Sequence, residues 1–182
     1  AITISQTSPL PQMDKIITSA LMAKEIGRPC HFLGGGHVKA LFMFARLAHL
    51  LKQDISCDTS SYVVGARFGI YFMPTFLGGN QQSIFMAEDI EKRNVLETLP
   101  CRCSVCRKSD YDTLLTSDTL RDVHNLHTLH LIKDVAVSVS TNDEVFESYF
   151  KLLIDRKLPE YDILYNMFVL GNIEEQTKSI AD

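Results

Sequence analysis

The sequence lacks any apolar run long enough to cross a bilayer, since no stretch approaches the roughly 20 apolar residues of a membrane-spanning helix. The N-terminus also lacks the basic segment and following apolar run that mark a secretion signal. We therefore expect a cytoplasmic protein that is neither inserted into a membrane nor exported.

An excess of basic charge is also missing. The formal net charge is -4 and the pI is near 5.9, whereas general nucleic-acid binders concentrate Lys and Arg on a strongly basic surface. Any nucleic-acid role must therefore rest on a local patch. With 182 residues, of which 46% are hydrophobic and 22% charged, the composition is that of an ordinary globular protein, which excludes general disorder.

The five cysteines do not have the pattern of a disulfide framework. Their number is odd, three of them crowd into one short segment, and no secretion signal accompanies them, so a reduced compartment fits better. Cys30 and Cys57 lie within apolar runs, where a free cysteine usually serves as a small core residue. We assign no chemistry to these two residues.

Over the first hundred residues, short apolar runs alternate with amphipathic runs, which is typical of strands and helices in succession. This part is predicted to contain strands at 2–4, 30–33 and 54–57 and helices at 12–26 and 38–51. Gly27 is placed to terminate the first helix. Strands linked by helices favour parallel pairing, and chemistry in such sheets gathers at the carboxyl ends of the strands.

Beyond Arg67 the pattern changes. Two apolar strand-like runs at 70–73 and 83–86 are separated by a loop with adjacent glycines, which predicts an antiparallel hairpin or meander. Three amphipathic helices are predicted after it, near 118–135, 143–154 and 161–169.

The strongest chemical signal is the segment Cys101-Arg102-Cys103-Ser104-Val105-Cys106. Three thiolates in so short a loop repel one another unless a soft cation neutralises them, and zinc accepts three sulfurs and one imidazole in a closed tetrahedron. Candidates for the fourth ligand recur every three residues on the predicted helix that follows: His124, His127 and His130. The alternative is that these are surface or core histidines and that the cysteines are merely clustered.

Two weaker signals lie at predicted strand ends. The turn Leu33-Gly34-Gly35-Gly36 lets backbone amides approach a ligand closely and favours an anion at the next helix, although plain turn geometry accounts for it as well. Asp58 lies where a barrel enzyme places a reactive carboxylate, which can form a covalent glycosyl intermediate. Its local sequence, Asp-Thr-Ser-Ser, favours a helix cap or an Asx-turn instead.

Taken in order, these motifs resemble the C-terminal half of the tRNA-guanine transglycosylase family over roughly residues 1 to 135. The resemblance rests on the series FLGGGH at 32–37, DTSSY at 58–62 with Ala-Arg at 66–67, LPCRCSVC at 99–106 and HNLH at 124–127. The Asp-Thr-Ser-Ser-Tyr motif is closest in character to the archaeal and DNA-modifying branches. The cysteine segment with its His-Asn-Leu is the specific part, and the glycine turn is supportive.

The resemblance implies an α/β fold, namely part of a (β/α)8 TIM barrel with an inserted antiparallel hairpin and a zinc-binding helical subdomain. The corresponding segments are 1–69 for the barrel strands and helices, 70–135 for the hairpin and zinc subdomain, and 136–182 for the C-terminal helices. It also implies a pentosyltransferase that exchanges guanine in tRNA or DNA for a 7-deazaguanine base through a covalent aspartate-ribose intermediate. A target base flipped into a pocket is consistent with this chemistry.

By the same resemblance, Asp58 is the nucleophile and Arg67 lies near the nucleic-acid backbone. The base pocket is lined by Leu33, Gly34, Gly35 and Gly36. The ligands of a structural zinc are Cys101, Cys103, Cys106 and His124.

The chain departs from the family in two ways. The gap of seventeen residues between Cys106 and His124 (124 - 106 - 1) is shorter than the family's, so His127 or His130 remains an alternative ligand. The family's first half, with its general-base aspartate, has no counterpart, and 182 residues are few for a barrel of about 250. We therefore expect a second polypeptide or a homo-oligomer. The alternatives are a non-catalytic zinc-containing accessory subunit and an independent zinc-binding interaction module.

Overall fold

The computed structural model describes residues 2–5, 11–35, 37–73, 86–89 and 101–173. Their elements follow in chain order: β1 Ile2–Ser5, α1 Gln12–Ile26, β2 Cys30–Leu33, α2 Val38–Leu51, β3 Ile55–Cys57, α3 Ser61–Arg67, β4 Ile70–Met73, β5 Met86–Asp89, α4 Tyr111–Thr116, α5 Asp118–Ser140, α6 Asp143–Leu153, α7 Tyr161–Leu164 and a π-helix Tyr165–Val169. This part of the chain is mostly helical, with a small parallel sheet and an antiparallel strand pair.

The chain divides into two compact units. The first comprises Ala1–Thr59 and Val135–Asp182, and the second comprises Ser60–Asp134. The three segments expected from the sequence stay a prediction.

The first unit contains a parallel sheet in the order β1-β2-β3. Cys30 pairs with Ile2 on one side and with Ile55 on the other, and a helix connects each strand to the next. Parallel pairing with helical connections agrees with the sequence prediction. Within the described ranges this sheet has three strands and closes no barrel, so the partial (β/α)8 barrel also stays a prediction.

Both long helices of this unit have the predicted bounds. Helix α1 ends at Gly27, whose φ of 62° is the left-handed conformation that glycine adopts without steric cost. Helix α2 begins after His37, whose Nδ1 accepts a hydrogen bond from the backbone N–H of Ala40 at 3.2 Å. The ring of Phe44 in this helix stacks on Phe32 of β2, with centroids 4.3 Å apart, which packs the helix against the sheet.

The buried guanidinium of Arg46 connects α2 to the C-terminal helices. It donates to the carbonyl oxygens of Phe168 at 2.9 Å and Ser140 at 2.8 Å, and it pairs with the Asp143 carboxylate at 2.5 Å. Phe168 belongs to the π-helix, which occupies the second half of the helix predicted at 161–169. Because π-helical bonds skip one residue more than α-helical ones, the N–H of Leu170 donates to the carbonyl of residue 165.

In the second unit, β4 pairs antiparallel with β5, in the register Ile70 to Asp89 and Met73 to Met86. The first strand has the predicted bounds. The second begins at Met86, the last residue of the predicted run, and residues 83–85 lie outside the described part. Helix α3 and helix α4 were not predicted, and each is only a few residues long.

Helix α5 holds β4 through the fully buried side chain of Asn125. Its Oδ1 accepts from the N–H of Phe72 at 2.8 Å, and its Nδ2 donates to the carbonyl oxygens of Ile70 at 3.0 Å and Tyr62 at 3.3 Å. One amide therefore satisfies three backbone groups, two of them on β4. This places residue 124, the preceding residue of α5, beside the same strand.

Candidate metal centre

Four side chains of the second unit converge on one buried point: Cys101, Cys103, Cys106 and His124. One ligand atom from each, a sulfur or a ring nitrogen, lies within 4.8 Å of every other. The three cysteines come from one turn-rich loop, and the histidine comes from α5. The cluster is therefore built by a local segment and a distant helix.

The cysteine loop folds around its own sulfurs. The N–H of Cys103 donates to Cys101 Sγ, and the N–H of Cys106 donates to Cys103 Sγ, both at 3.4 Å. A further turn is closed by the N–H of Arg107, which donates to the Cys103 carbonyl oxygen at 3.1 Å. Backbone N–H groups aimed at sulfur stabilise the thiolate form, which is the form that binds metals.

The buried ring of His124 presents Nδ1 to the sulfurs. Nδ1 lies 3.2 Å from Cys106 Sγ and 3.6 Å from Cys103 Sγ, and Nε2 lies 2.7 Å from the carbonyl oxygen of Phe72. A carbonyl only accepts, so Nε2 carries the ring proton, and a neutral ring then has its lone pair on Nδ1. Metal-bound histidines are usually oriented in this way by a bond from the other ring nitrogen.

Tyr71 of β4 covers the cluster. Its ring stacks on that of His124, with centroids 3.8 Å apart and planes 6° from parallel, and its hydroxyl lies 3.3 Å from Cys106 Sγ. Burial, followed by the hydrogen bond to Cys106, raises the pKa of Tyr71 well above its ordinary value. The phenol is therefore neutral and has a proton to donate.

The sulfurs perturb one another strongly. The hydrogen bond from Cys106 is the main cause that lowers the pKa of Cys101. The same bond, together with burial, raises the pKa of Cys106. In this pair Cys106 is the proton donor and Cys101 is the acceptor. A divalent cation between the sulfurs would take the place of the shared proton.

These four residues fit a tetrahedral metal ion. Typical zinc bond lengths give tetrahedron edges of about 3.6 Å between sulfur and nitrogen and about 3.8 Å between sulfurs. The sulfur-nitrogen distances of 3.2 and 3.6 Å are close to this. A buried set of three thiols and one imidazole consists of soft donors with no open carboxylate ligand, so the cluster can hold a metal ion.

The other two candidate histidines lie elsewhere on α5. His127 and His130 are exposed, whereas His124 is fully buried, so the structure brings only the first of the three to the cysteines. At three-residue spacing the rings lie on one side of a helix but are rotated from one another by about 60°. That rotation separates the buried ring from its neighbours.

Asp58 lies in the first unit, directly after β3, and its side chain is exposed. Its Oδ1 accepts from the N–H of Gly34 at 2.6 Å, and its own N–H donates to the Phe32 carbonyl oxygen at 3.3 Å. These contacts join the carboxyl ends of β2 and β3. The N-cap of α3 is Ser60, so Asp58 does not have the helix-cap role that its local sequence favoured.

The remaining predicted residues are only partly described. Leu33 is 37% exposed, Gly34 has the positive φ of 75°, and Gly35 is buried. Gly36 lies outside the described residues. Arg67 is exposed at the end of α3 in the second unit.

Comparison with protein-family models, with curated proteins and with solved structures finds no match to this chain. Among the described helices, none is both long enough and apolar enough to cross a membrane.

Two residues near the four candidate ligands were not identified from the sequence. Tyr71 was predicted only as part of an apolar strand, and Asn125 only as part of a motif beside a histidine. Alternation in a strand identifies which residues share a face, but it does not identify which of them meets a sulfur. The one signal in the sequence was the position of the polar Asn125 directly after His124.

Proposed function

We propose that Cys101, Cys103, Cys106 and His124 hold one structural zinc ion. The observation that supports this most directly is a closed, buried set of four ligand atoms in which His124 already has its proton on the outward nitrogen. Because all four positions come from protein and none is exposed, the ion would fix the loop to α5 and would have no open position for catalysis.

Elemental analysis of the folded protein tests this proposal. We expect one zinc per chain, and X-ray absorption should give three sulfur neighbours near 2.3 Å and one nitrogen near 2.0 Å, the typical values for such a site. His124→Ala should release the metal. His127→Ala, an exposed residue on the same helix, should leave it bound. A protein that folds without tightly bound metal would overturn the proposal.

We further propose that the chain is one part of a guanine transglycosylase-like pentosyltransferase that acts on tRNA or DNA. Support comes from the parallel βαβαβ order, from Asp58 at the carboxyl ends of the strands, and from the fit of the cysteine cluster to zinc. Ligands of open parallel sheets bind at this edge. The N–H of Gly34 donates to Oδ1 of the carboxylate and orients it. In the proposed reaction, the other oxygen, Oδ2, is therefore the one that attacks.

In the proposed reaction, Asp58 attacks C1′ of the target nucleotide and the bond from C1′ to N9 of guanine breaks. Guanine leaves with the bonding electron pair and gains a proton. The ring nitrogen of a 7-deazaguanine base then attacks C1′, the carboxylate leaves, and the incoming base loses a proton. A second polypeptide would supply the group that handles these protons and the strands that complete the barrel.

A labelled-base exchange assay tests the enzymatic proposal. The natively purified chain, with any polypeptide that accompanies it, is incubated with tRNA or duplex DNA and labelled guanine. We expect incorporation that Asp58→Asn abolishes and that Asp54→Asn, an exposed residue at the opposite end of β3, leaves unchanged. Exchange that survives Asp58→Asn, or no exchange by a complex with an intact partner, would remove the proposal.

A non-catalytic accessory subunit is the second candidate. It is favoured by the tight contact of Asp58 with the Gly34 amide, because a carboxylate bound to backbone often stabilises a loop. In this case zinc and the partner would still co-purify, and Asp58→Ala would leave the activity of the partner unchanged.

A further inference from the structure

Two consecutive residues of β4 contact the candidate metal ligands in different ways. The Tyr71 side chain is 1% exposed, stacks on the His124 ring and reaches Cys106 Sγ through its hydroxyl. The carbonyl oxygen of the next residue, Phe72, accepts a hydrogen bond from His124 Nε2. The strand therefore contacts two of the four ligands, one on the sulfur side and one on the nitrogen side.

We propose that Tyr71 is a positioning residue of the metal centre, which holds Cys106 by a hydrogen bond from its hydroxyl and holds the His124 ring by stacking. This inference rests on the proposed zinc site. A thiolate has no proton to donate, so in the loaded site the phenol is the donor and the Cys106 sulfur is the acceptor.

The chemical consequence concerns the charge on the sulfurs. Three thiolates, one neutral imidazole and a divalent cation carry a net charge of about -1, which is costly in a buried site unless donors face the sulfurs. Backbone N–H groups face Cys101 and Cys103, at 3.4 Å each. The Tyr71 hydroxyl supplies the corresponding donor for Cys106 at 3.3 Å. Each sulfur of the set thus has one donor from the described residues.

A purely structural role for the ring is the competing hypothesis, because Tyr71 also belongs to the buried cluster around the cysteines and Leu114. The substitution Tyr71→Phe separates the two roles. Phenylalanine keeps the ring, its volume and its stacking on His124, and it removes only the hydroxyl. A role limited to packing would therefore leave the metal's properties unchanged.

The experiment measures the zinc dissociation constant and the visible spectrum of the cobalt-loaded protein. For Tyr71→Phe we expect zinc affinity to fall about tenfold, the lower end of the range for outer-shell partners of metal ligands. The sulfur-to-cobalt charge-transfer band should move to longer wavelength, because a sulfur without its hydrogen bond gives up electron density more easily. The matched control is Tyr149→Phe in the first unit, where the ring stacks on Phe42.

A second arm changes the donor strength of the Tyr71 hydroxyl without removing it. Incorporation of 3-fluorotyrosine at Tyr71 keeps the ring and makes the phenol a stronger donor, so the band should move to shorter wavelength. Opposite shifts for the two changes would support the inference. Bands and affinities unchanged in both would overturn it while leaving the zinc proposal intact, whereas failure of the unaltered protein to bind zinc or cobalt would overturn both.

Discussion

The side-chain amide of Asn125 is expected to contribute strongly to the stability of the second unit. Asn125→Ala removes three hydrogen bonds to backbone groups of Phe72, Ile70 and Tyr62 inside the second unit. Each such bond contributes about 1 kcal/mol net, and a buried N–H left without a partner costs about 1–3 kcal/mol. Because small shifts or water recover part of this, we expect the free energy of unfolding to fall by about 3–5 kcal/mol.

The measurement is urea unfolding of the metal-loaded protein, followed by far-UV circular dichroism because the chain has no tryptophan. The matched control is Ser117→Ala, directly before the same helix, which removes a single bond that the N–H of Leu120 donates to Ser117 Oγ. That change should cost about 1 kcal/mol. Equal losses for the two variants would refute the reasoning that Asn125 holds β4.

Asn125→Asp separates the contribution of the acceptor Oδ1 from that of the donor Nδ2. The carboxylate still accepts from the N–H of Phe72, but it turns an acceptor toward the two carbonyl oxygens that Nδ2 now serves. We expect this variant to be at least as unstable as Asn125→Ala, since a buried carboxylate beside carbonyl oxygens is costly. Zinc affinity should fall in both variants, because β4 also carries the partner of His124.

Three further predictions concern the first unit and use the same unfolding assay. Gly35→Ala should cost about 1–3 kcal/mol, because its Cβ would lie 2.7 Å from the ring of Phe44, which is buried and stacked. Arg46→Met should cost about 3 kcal/mol through two unpaired buried carbonyls, whereas Asp143→Asn, at an 80% exposed side chain, should cost less than about 1 kcal/mol. Burial and two nearby lysines lower the pKa of His37 from 6.5 to about 4, so the folded state binds this proton more weakly than the unfolded chain. The free energy of unfolding should therefore be unaffected by this group above pH 6.5 and should decrease as the pH falls from 6.5 toward 4. His37→Asn keeps an acceptor for the helix cap, and it should weaken this pH dependence.

Local elements were predictable from the sequence because they depend on neighbours along the chain. The apolar spacing at 12–26 and 38–51 gave both long helices their bounds, and Gly27 gave the first its end. The short helices α3 and α4 and the π-helical geometry at Tyr165–Val169 were not predicted. Helix α3 is seven residues long, too short to show a periodic apolar face. In the π-helix at Tyr165–Val169, the carbonyl oxygen of Phe168 accepts from Arg46, a residue far away in the sequence.

The candidate site likewise has a part that was predictable from the sequence and a part that was not. Cys101, Cys103 and Cys106 were recognisable because three thiols crowded into one short segment are typical of a metal site, and their spacing is a property of the sequence alone. The spacing did not choose among the three histidines, since all three share it. Only the family resemblance named His124, and of the three this is the one that the structure buries. The contact of Asp58 with Gly34 likewise depends on two strands that lie side by side in the sheet.

The sequence by itself predicted the two long helices, the strands at 30–33 and 70–73 and the segment that carries the thiols, because these follow from residue patterns within a few positions. Only the tertiary structure showed that the His124 ring lies beside the cysteine sulfurs, that Tyr71 stacks on that ring, that Asn125 binds β4, and that Asp58 accepts from a glycine amide. Each of these depends on residues at least 18 positions apart being brought into contact, and no local pattern specifies that approach.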